Sequence, residues 1–419
     1  MAATGGSTKE AKPTLGGTKF KTRKRDEKVK LDVTSFSEQL IAGLRESGGN
    51  LDEVRRFLDN AGGQLDYRRY GEPLLDILVA GGVLAPGGGK VEGTAISPVS
   101  VFQCEPKVEA IRGHLVVMTR VLQRYKYLKK GLEDEMKKIL KFLKGFQDSE
   151  RRSLAIYTGL LLSEVLVPAS ILTSLLSEVL VKEGMSLQFV TLVFQTWLSE
   201  KNIGHVGSAL RKAQLEARLT DFLPASQQSA LLFDEHFSGA GLEVLVKYRR
   251  AQESAEKRRA LKKELEELLD ADSSSEEIID RCQQHMDTAQ LTDVDVTVLL
   301  WRCIMDSVEW NKKDELAAEQ ALKHLMDYTP VFLPFCVRGT PQLTLLIKMQ
   351  EFCYDNMNFL KVFHKIVLLF YKNDVLTEQA IRKWFDEAHV AKGKSVFLGQ
   401  MKPMLEWLDT AEEEDDNEH

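Results

Sequence analysis

The sequence has few cysteines and begins without an apolar segment. Its 419 residues include five cysteines, none of them in a C-x-x-C pair. An odd number of cysteines without such pairs is typical of a reducing compartment rather than of a disulfide-stabilised secreted domain. Residues 1–30 contain no apolar run that could serve as a secretory signal. We therefore expect a cytoplasmic protein.

Motifs for catalysis, metal binding and nucleotide binding are also missing. H-E-x-x-H and G-x-S-x-G do not occur. Cys282 and His285 lie one helical turn apart, but structural zinc needs four ligands and no second pair has a matching spacing. Residues 388–395 loosely resemble a phosphate-binding loop, yet they follow a helical pattern and contain a single glycine. We expect no catalytic residue, cofactor or metal; the rival, a nucleotide-binding enzyme, would need Lys394 to hold phosphate.

The longest apolar stretch does not suit a lipid bilayer. Residues 154–181 could pass for a membrane span, but Glu164 and Glu178 would each cost about 2.5–3.5 kcal/mol near the bilayer centre. Pro168 also divides the stretch into two pieces of helix length. We therefore expect two buried helices and no membrane partner.

Charge is nearly balanced overall but not along the chain. The formal net charge is −6. Residues 1–30 hold nine basic and three acidic side chains, whereas residues 409–419 hold seven acidic side chains and no Lys or Arg. Charged ends on a nearly neutral body are typical of interaction arms. The basic arm could contact the ribosome or RNA through attraction to phosphate.

Helical periodicity dominates the body of the chain. Between Thr377 and Ala388, apolar residues recur at the spacing of one helix face, and Thr377 is placed to cap that helix. Similar stripes recur in six more segments: 107–128, 131–146, 185–199, 292–309, 341–353 and 358–371. Alternating patterns typical of strands are scarce. The sequence therefore predicts an all-α fold of antiparallel helix pairs stacked as an α-solenoid.

Composition indicates where domains begin and end. Residues 247–270 form a helix that is polar almost all round, and such helices commonly bridge two domains. We therefore divide the chain near residue 247. The predicted organisation is a basic tail at 1–30, a helical domain at 31–246, a second helical domain at 247–411 and an acidic tail at 412–419.

A leucine heptad after the basic arm suggests a different function. Leucines recur every seven residues from Leu44 to Leu65, downstream of the basic segment 19–30. A basic region that continues into a leucine zipper would bind the DNA major groove as a dimer, provided that the helix is uninterrupted. Glycine pairs at 48–49 and 62–63 fall inside the heptad, and each interior glycine costs about 1 kcal/mol relative to Ala. We therefore favour two short helices and a monomer.

Tryptophan and acidic residues are concentrated towards the carboxy terminus. Four of the five tryptophans lie in the last 119 residues. Two of them stand among acids, in clusters that run from Phe370 to Glu387 and from Leu405 to Asp416. A helix with aromatics on one face and acids around it would attract a lysine-rich segment, with specificity from apolar contacts. The alternative is that the tryptophans pack in a core beside a solvated tail.

Segments spread along nearly the whole chain resemble one known family. They include LDYRRY (65–70), LLDILVAGGVLAPGG (74–88), VEWNKK (308–313) and AHVAKGKSVFL (388–398). The family is that of the basic leucine zipper and W-two domain proteins, also called translation initiation factor five mimics. The resemblance implies that the carboxy-terminal domain is a HEAT-like bundle, similar to the corresponding domains of factor five and of the epsilon subunit of factor two-B.

The resemblance also implies partners and binding residues. In that family, two aromatic and acidic boxes bind lysine boxes on the beta subunit of initiation factor two, and the domain contacts initiation factor three. The boxes correspond to nine residues here: Tyr371, Asp374, Glu378 and Trp384 in box one, and Glu406, Trp407, Glu412, Glu413 and Glu414 in box two. Pro403 predicts a break in the box-two helix, with a new helix beginning at Met404.

One departure from factor five bears on the expected function. Factor five carries a zinc ribbon and a catalytic arginine that promote GTP hydrolysis, and this chain has no C-x-x-C pair for such a ribbon. The resemblance therefore implies binding without activation. We expect a cytoplasmic, non-enzymatic regulator that competes with factor five, represses initiation and tunes start-codon selection; a general helical scaffold is the alternative.

Overall fold

The described part of the chain is helical. The structure is a computed structural model that describes residues 32–84, 96–337, 339–388 and 390–417. In those ranges every regular element is a helix. The all-α prediction is therefore confirmed, while the basic tail predicted at 1–30 lies outside the described residues.

Two compact units make up the chain. Unit 1 comprises Met1–Asn202 with Asp221–Ser226, and unit 2 comprises Ile203–Thr220 with Gln227–His419. The domain boundary predicted near residue 247 falls within a continuous helix of unit 2. It stays a prediction, because compactness alone does not show which segments fold independently.

Unit 1 is a two-layered stack of helices. Its described residues contain eight α-helices: α1 Val33–Glu46, α2 Leu51–Ala61, α3 Gly71–Ala80, α4 Val108–Arg124, α5 Leu128–Lys141, α6 Asp148–Ser163, α7 Glu178–Lys182 and α8 Met185–Glu200. Helices two positions apart pack together, so α2, α4, α6 and α8 form one layer and α1, α3 and α5 the other. This regular stacking is that of an α-solenoid, as predicted.

Unit 2 repeats the same principle. Its described residues contain ten α-helices: α9 Ile203–Lys212, α10 Ala230–Gly239, α11 Glu243–Asp270, α12 Ser275–Ala289, α13 Asp293–Asp306, α14 Asp314–Phe332, α15 Gly339–Asp355, α16 Phe363–Lys372, α17 Glu378–Lys383 and α18 Lys394–Asn417. From α11 onward the odd-numbered and even-numbered helices form separate layers. In the mostly polar second half of α11, Leu261 and Leu265 are fully buried and face the core.

The leucine heptad is divided between two helices. α1 ends at Glu46, and Gly48 and Gly49 have φ angles of +58° and +81°, a left-handed conformation that glycine adopts without strain. α2 then begins at Leu51, where the Asn50 side chain accepts hydrogen bonds from two backbone N–H groups of the first turn. The uninterrupted helix that a DNA-binding zipper requires is not formed, so that alternative is wrong.

Only one of the two buried helices predicted for residues 154–181 is formed as a long α-helix. The first part of this stretch belongs to α6, which ends at Ser163, but its second part is a 3₁₀ segment, Ala169–Leu176, followed by the short α7. Pro168 immediately precedes the 3₁₀ segment. No helix among the described residues is long and apolar enough to cross a membrane.

The predicted break at Pro403 is wrong. α18 runs without interruption from Lys394 to Asn417, with Pro403 inside it. Pro403 is exposed, whereas Phe397, Met401 and Leu408 are buried on either side of it. The buried residues before and after the proline anchor both parts of the helix in the core. The carbonyl that loses its hydrogen bond belongs to Gly399, which is an exposed residue.

Candidate functional site

The predicted boxes lie on the last three helices of unit 2. α16 packs against α18, and α17 packs against α15. The hydroxyl of Thr377 accepts a hydrogen bond from the backbone N–H of Ala380 at 3.3 Å and donates one to Gln342 Oε1 at 2.7 Å. This interaction caps α17, as predicted, and ties it to α15.

An exposed tryptophan links the two boxes. Trp407 of box two stands edge-on to Tyr371 of box one, with ring centroids 6.2 Å apart and ring planes at 88°. Half of the Trp407 surface is exposed, whereas Tyr371 is half-buried against the core. The next residue, Leu408, is buried and fixes the helix beneath the ring. The indole therefore combines a fixed position with an open face.

Arg382 joins acidic residues of the two boxes' helices. Its Nη1 donates to Asp409 Oδ1 of α18 at 2.6 Å, and its Nε donates to Glu378 Oε1, one turn earlier on α17. These hydrogen bonds, to Asp409 above all and then to Glu378, raise the pKa of Arg382. α17 and α18 are thereby held together by one guanidinium between two carboxylates.

Two further box residues are exposed acids. Asp374 lies in the turn after α16 with a φ angle of +59°, and its backbone N–H donates to Tyr371 O at 3.1 Å. Asp is one of the few residues that tolerate this left-handed conformation. Glu406 precedes Trp407 on α18. Both residues are exposed, and they lie close in sequence to Tyr371 and to Trp407 respectively.

Trp384 lies in the core rather than at this surface. It is fully buried, 5.1 Å from the Phe363 ring centroid, and its Nε1 donates to Gln350 Oε1 at 3.2 Å. The amide nitrogen of Gln350 in turn donates to the carbonyls of Val390 and Lys392. Trp384 therefore holds the chain between α17 and α18, and a partner cannot touch its ring without unfolding this region.

Known proteins match nearly the whole chain. A family model described as the 5MP1/2 HEAT domain matches residues 20–259, and one described as eIF4-gamma/eIF5/eIF2-epsilon, the W2 domain, matches residues 341–418. The eIF5-mimic protein 1 of Homo sapiens is 49% identical over 413 residues, which cover 98% of this chain and 99% of that protein. The eIF5-mimic protein 2 of Gallus gallus is 48% identical over 410 residues, 98% of each.

The chain belongs to the eIF5-mimic protein family. As a member of that family, it is a regulator of translation initiation that mimics eIF5. All nine predicted site residues fall inside the W2 match. The roles of these residues stay predictions, and their geometry is the basis on which a role can be proposed.

The acidic end of the W2 region belongs to the last helix. α18 extends to Asn417, so the backbone of Glu412, Glu413 and Glu414 is helical. The same helix carries Glu406 and Trp407. Box two is therefore one continuous helical segment rather than a helix followed by a loose tail.

Sequence reasoning missed Arg382 and Gln350. The i, i+4 spacing of Glu378 and Arg382 is a recognisable signal for an ion pair within one helix. Its second contact, with Asp409, joins residues 27 positions apart, and no local pattern indicates that. Gln350 is a buried amide that pairs with Trp384 across 34 positions. Only the packing of the solenoid brings such pairs together.

The possible metal-binding pair, Cys282 and His285, and the segment that loosely resembles a phosphate-binding loop both make contacts with other residues of the fold. The His285 ring lies 3.2 Å from Glu264 Oε2, and burial raises the pKa of the Cys282 thiol to about 12. In the loop at 390–394, Lys392 pairs with Asp355 at 2.9 Å. The loop also turns two carbonyls towards Gln350, whereas phosphate binding would need free N–H groups.

Proposed function

We propose that the outer surface of α16–α18 binds lysine-rich segments of translation initiation factors, in particular those of the beta subunit of initiation factor two. The observation that carries this proposal is the half-exposed Trp407 ring, held edge-on to Tyr371 on the segment α16–α18, which also carries Asp374, Glu378, Glu406 and Asp409. We call this group of six residues the acidic aromatic face.

The chemistry of the acidic aromatic face suits a lysine side chain. The ammonium group is attracted by the carboxylates and can lie over an indole face, while its methylene stem packs on the exposed ring. Glu412, Glu413 and Glu414 extend the negative charge along the same helix. Such a surface associates quickly with a basic segment at low salt and loses affinity as salt screens the charges.

The regulatory consequence follows from competition. Factor five is named in the W2 family description, so a chain with a similar face would occupy the same basic segments and exclude factor five. We propose that this displacement, together with binding to initiation factor three, represses initiation and alters start-codon stringency. In this proposal the protein acts in the cytoplasm, as a monomer and without catalysis.

A binding titration tests the acidic aromatic face. We would measure binding of the lysine-rich segment of the beta subunit by calorimetry, with the full chain and with a variant that combines Trp407→Ala and reversal of Glu412–Glu414 to lysine. We expect binding to be lost in this variant and retained in Asp280→Lys, an exposed acid on α12. Unchanged affinity of the combined variant at low salt would disprove the mechanism.

A competition experiment tests the regulatory step. Pre-formed complexes of factor five with initiation factor two are titrated with the full chain, and the released factor five is quantified. We expect stoichiometric release by the native chain and none by the combined variant. Ternary complexes in which both proteins remain bound would contradict competition.

A further inference from the structure

Unit 1 carries an exposed tyrosine among basic side chains. The segments 64–70 and 120–130 together contain seven Lys and Arg residues and one Asp. The exposed members of this group are Arg68, Arg69, Arg120, Arg124, Lys126, Lys129 and Lys130. Tyr127, in the middle of the second segment, is 42% exposed. The acidic aromatic face of unit 2 does not involve any of these residues.

A ladder of tyrosines holds this surface in place. Tyr67 is buried, and its hydroxyl donates to Leu58 O at 3.1 Å. The half-buried Tyr125 stands edge-on to Tyr67 with centroids 5.2 Å apart, and its hydroxyl donates to Asp59 O at 3.3 Å. Tyr127 follows at 6.0 Å from Tyr125. The outermost ring is therefore positioned by two inner rings that are anchored to α2.

Guanidinium groups already lie against these rings. Arg68 Cζ lies 5.2 Å from the centroid of Tyr127, and Arg124 Cζ lies 5.7 Å from that of Tyr125. Arg124 is also 3.7 Å from Asp59, which limits its movement. Flat cations and an exposed ring thus form a continuous polar and aromatic surface. We call Arg68, Arg124, Tyr125, Lys126, Tyr127 and Lys129 the tyrosine–arginine surface.

We propose that the tyrosine–arginine surface binds single-stranded RNA. An unpaired base can stack on the open face of Tyr127 and on the Arg68 guanidinium plane, while Lys126 and Lys129 neutralise phosphates. An acidic peptide would use the cations but would leave the exposed ring without a matching partner. RNA is the nucleic acid that a regulator of translation initiation encounters, which decides between RNA and DNA.

Fluorescence anisotropy of a labelled oligouridylate of about ten nucleotides tests the proposal. The full chain is compared with Tyr127→Ala and Lys126→Glu. Tyr354→Ala and Lys182→Glu are matched controls, since Tyr354 is 44% exposed in unit 2 and Lys182 is an exposed lysine of α7. The basic segment 1–30 is present in every variant, so its contribution to binding is common to all of them.

The expected pattern separates stacking from simple attraction. Tyr127→Ala should weaken binding at least about fivefold, as loss of one base–aromatic stack does, and Tyr127→Phe should restore it. Lys126→Glu should reduce the slope of log affinity against log salt by about 0.7. Both controls should bind like the native chain.

Three results would overturn the proposal. The first is native affinity in Tyr127→Ala. The second is equal competition by poly-glutamate, which would indicate an acidic-peptide site. The third is equally tight binding of a duplex of the same length, whose bases cannot be splayed onto a ring.

Discussion

The acidic aromatic face of unit 2 and the tyrosine–arginine surface of unit 1 are built alike but carry opposite charge. In each, an exposed ring is held edge-on by a second, more buried ring: Trp407 by Tyr371, and Tyr127 by Tyr125. The sequence near Trp407 is rich in Asp and Glu, whereas the sequence near Tyr127 is rich in Lys and Arg. The same aromatic arrangement can therefore serve basic or anionic partners, and the surrounding charges decide which.

Two sets of acidic residues, one in each unit, differ in their exposure. Unit 2 places Glu378 and Asp409 around Arg382 near the surface. Unit 1 buries Asp76 of α3 and Glu135 of α5, with relative exposures of 5% and 2%. Exposed acids can attract a partner and are screened by salt, whereas buried acids influence the stability of the fold instead.

The largest expected effect is a difference in stability between variants of Trp384 and Trp407, two tryptophans that both stand among acids in the sequence. Trp384→Ala should lower the free energy of unfolding by about 3–5 kcal/mol, because it removes a fully buried ring and one of the two hydrogen bonds that Gln350 Oε1 accepts. Trp407→Ala should change stability by less than about 1 kcal/mol. Chemical denaturation of both variants measures the contrast. Similar losses in the two variants would show that Trp407 is structural and would remove it from the binding surface.

These two residues also show how far sequence reasoning reaches. Each tryptophan stands next to acids, so composition places both in a binding surface. The helical spacing of Ile381, Trp384 and Phe385 predicts a core-facing stripe, and the structure buries Trp384 accordingly. The all-α solenoid and the cap at Thr377 follow from such local patterns. The pairings of Arg382 with Asp409 and of Tyr371 with Trp407 do not, because they join different helices.

The buried acids of unit 1 should make its stability depend on pH. Burial raises the pKa of Asp76 to about 6 and that of Glu135 to about 7, with Lys138 and Glu72 as their charged neighbours. A carboxyl group with a raised pKa binds its proton more tightly in the folded state, so the contribution of these two acids to stability is fully present below pH 4, is lost between pH 4 and 7, and then levels off.

A double variant of the two buried acids, compared with a variant of an exposed acid, measures this effect of pH on stability. Relative to the native chain, Asp76→Asn combined with Glu135→Gln should remove a decrease of about 3 kcal/mol for each carboxyl group between pH 4 and 7, since one pKa unit is worth about 1.4 kcal/mol. Denaturation curves at several pH values give the difference. Asp280→Asn, an exposed acid of α12, should leave the profile unchanged. Parallel profiles for the native chain and the double variant would contradict the assignment.

The exposed ring of unit 2 should matter for affinity rather than stability. Trp407→Ala alone should weaken binding of the lysine-rich peptide about 30-fold, because truncation of a central interface tryptophan costs about 2 kcal/mol of binding free energy. Tyr127→Ala in unit 1 should leave that affinity unchanged. Calorimetry at fixed salt compares the two. A comparable loss in both variants would mean that the peptide does not distinguish the acidic surface from the basic one.

The smallest effect should come from the cation inside the acidic face. Arg382→Met keeps an unbranched apolar stem but removes the charge that Glu378 and Asp409 now share. The freed carboxylates become available to the partner, so the affinity for a lysine-rich peptide should rise a few-fold at low salt. Stability should fall by at most about 1 kcal/mol, because Asp409 is exposed and Arg382 is only partly buried, so water screens the pair.

A matched variant distinguishes a local effect of Arg382 from a change in net charge. Arg281→Met removes an arginine that pairs with Glu264 elsewhere in unit 2, and it should leave peptide affinity unchanged. Salt titrations of both variants should show a steeper dependence for Arg382→Met alone. Weaker binding in Arg382→Met would reverse the interpretation: the guanidinium would then position α17 and α18 for the partner, and the bridge would be part of the binding surface rather than a competitor for it.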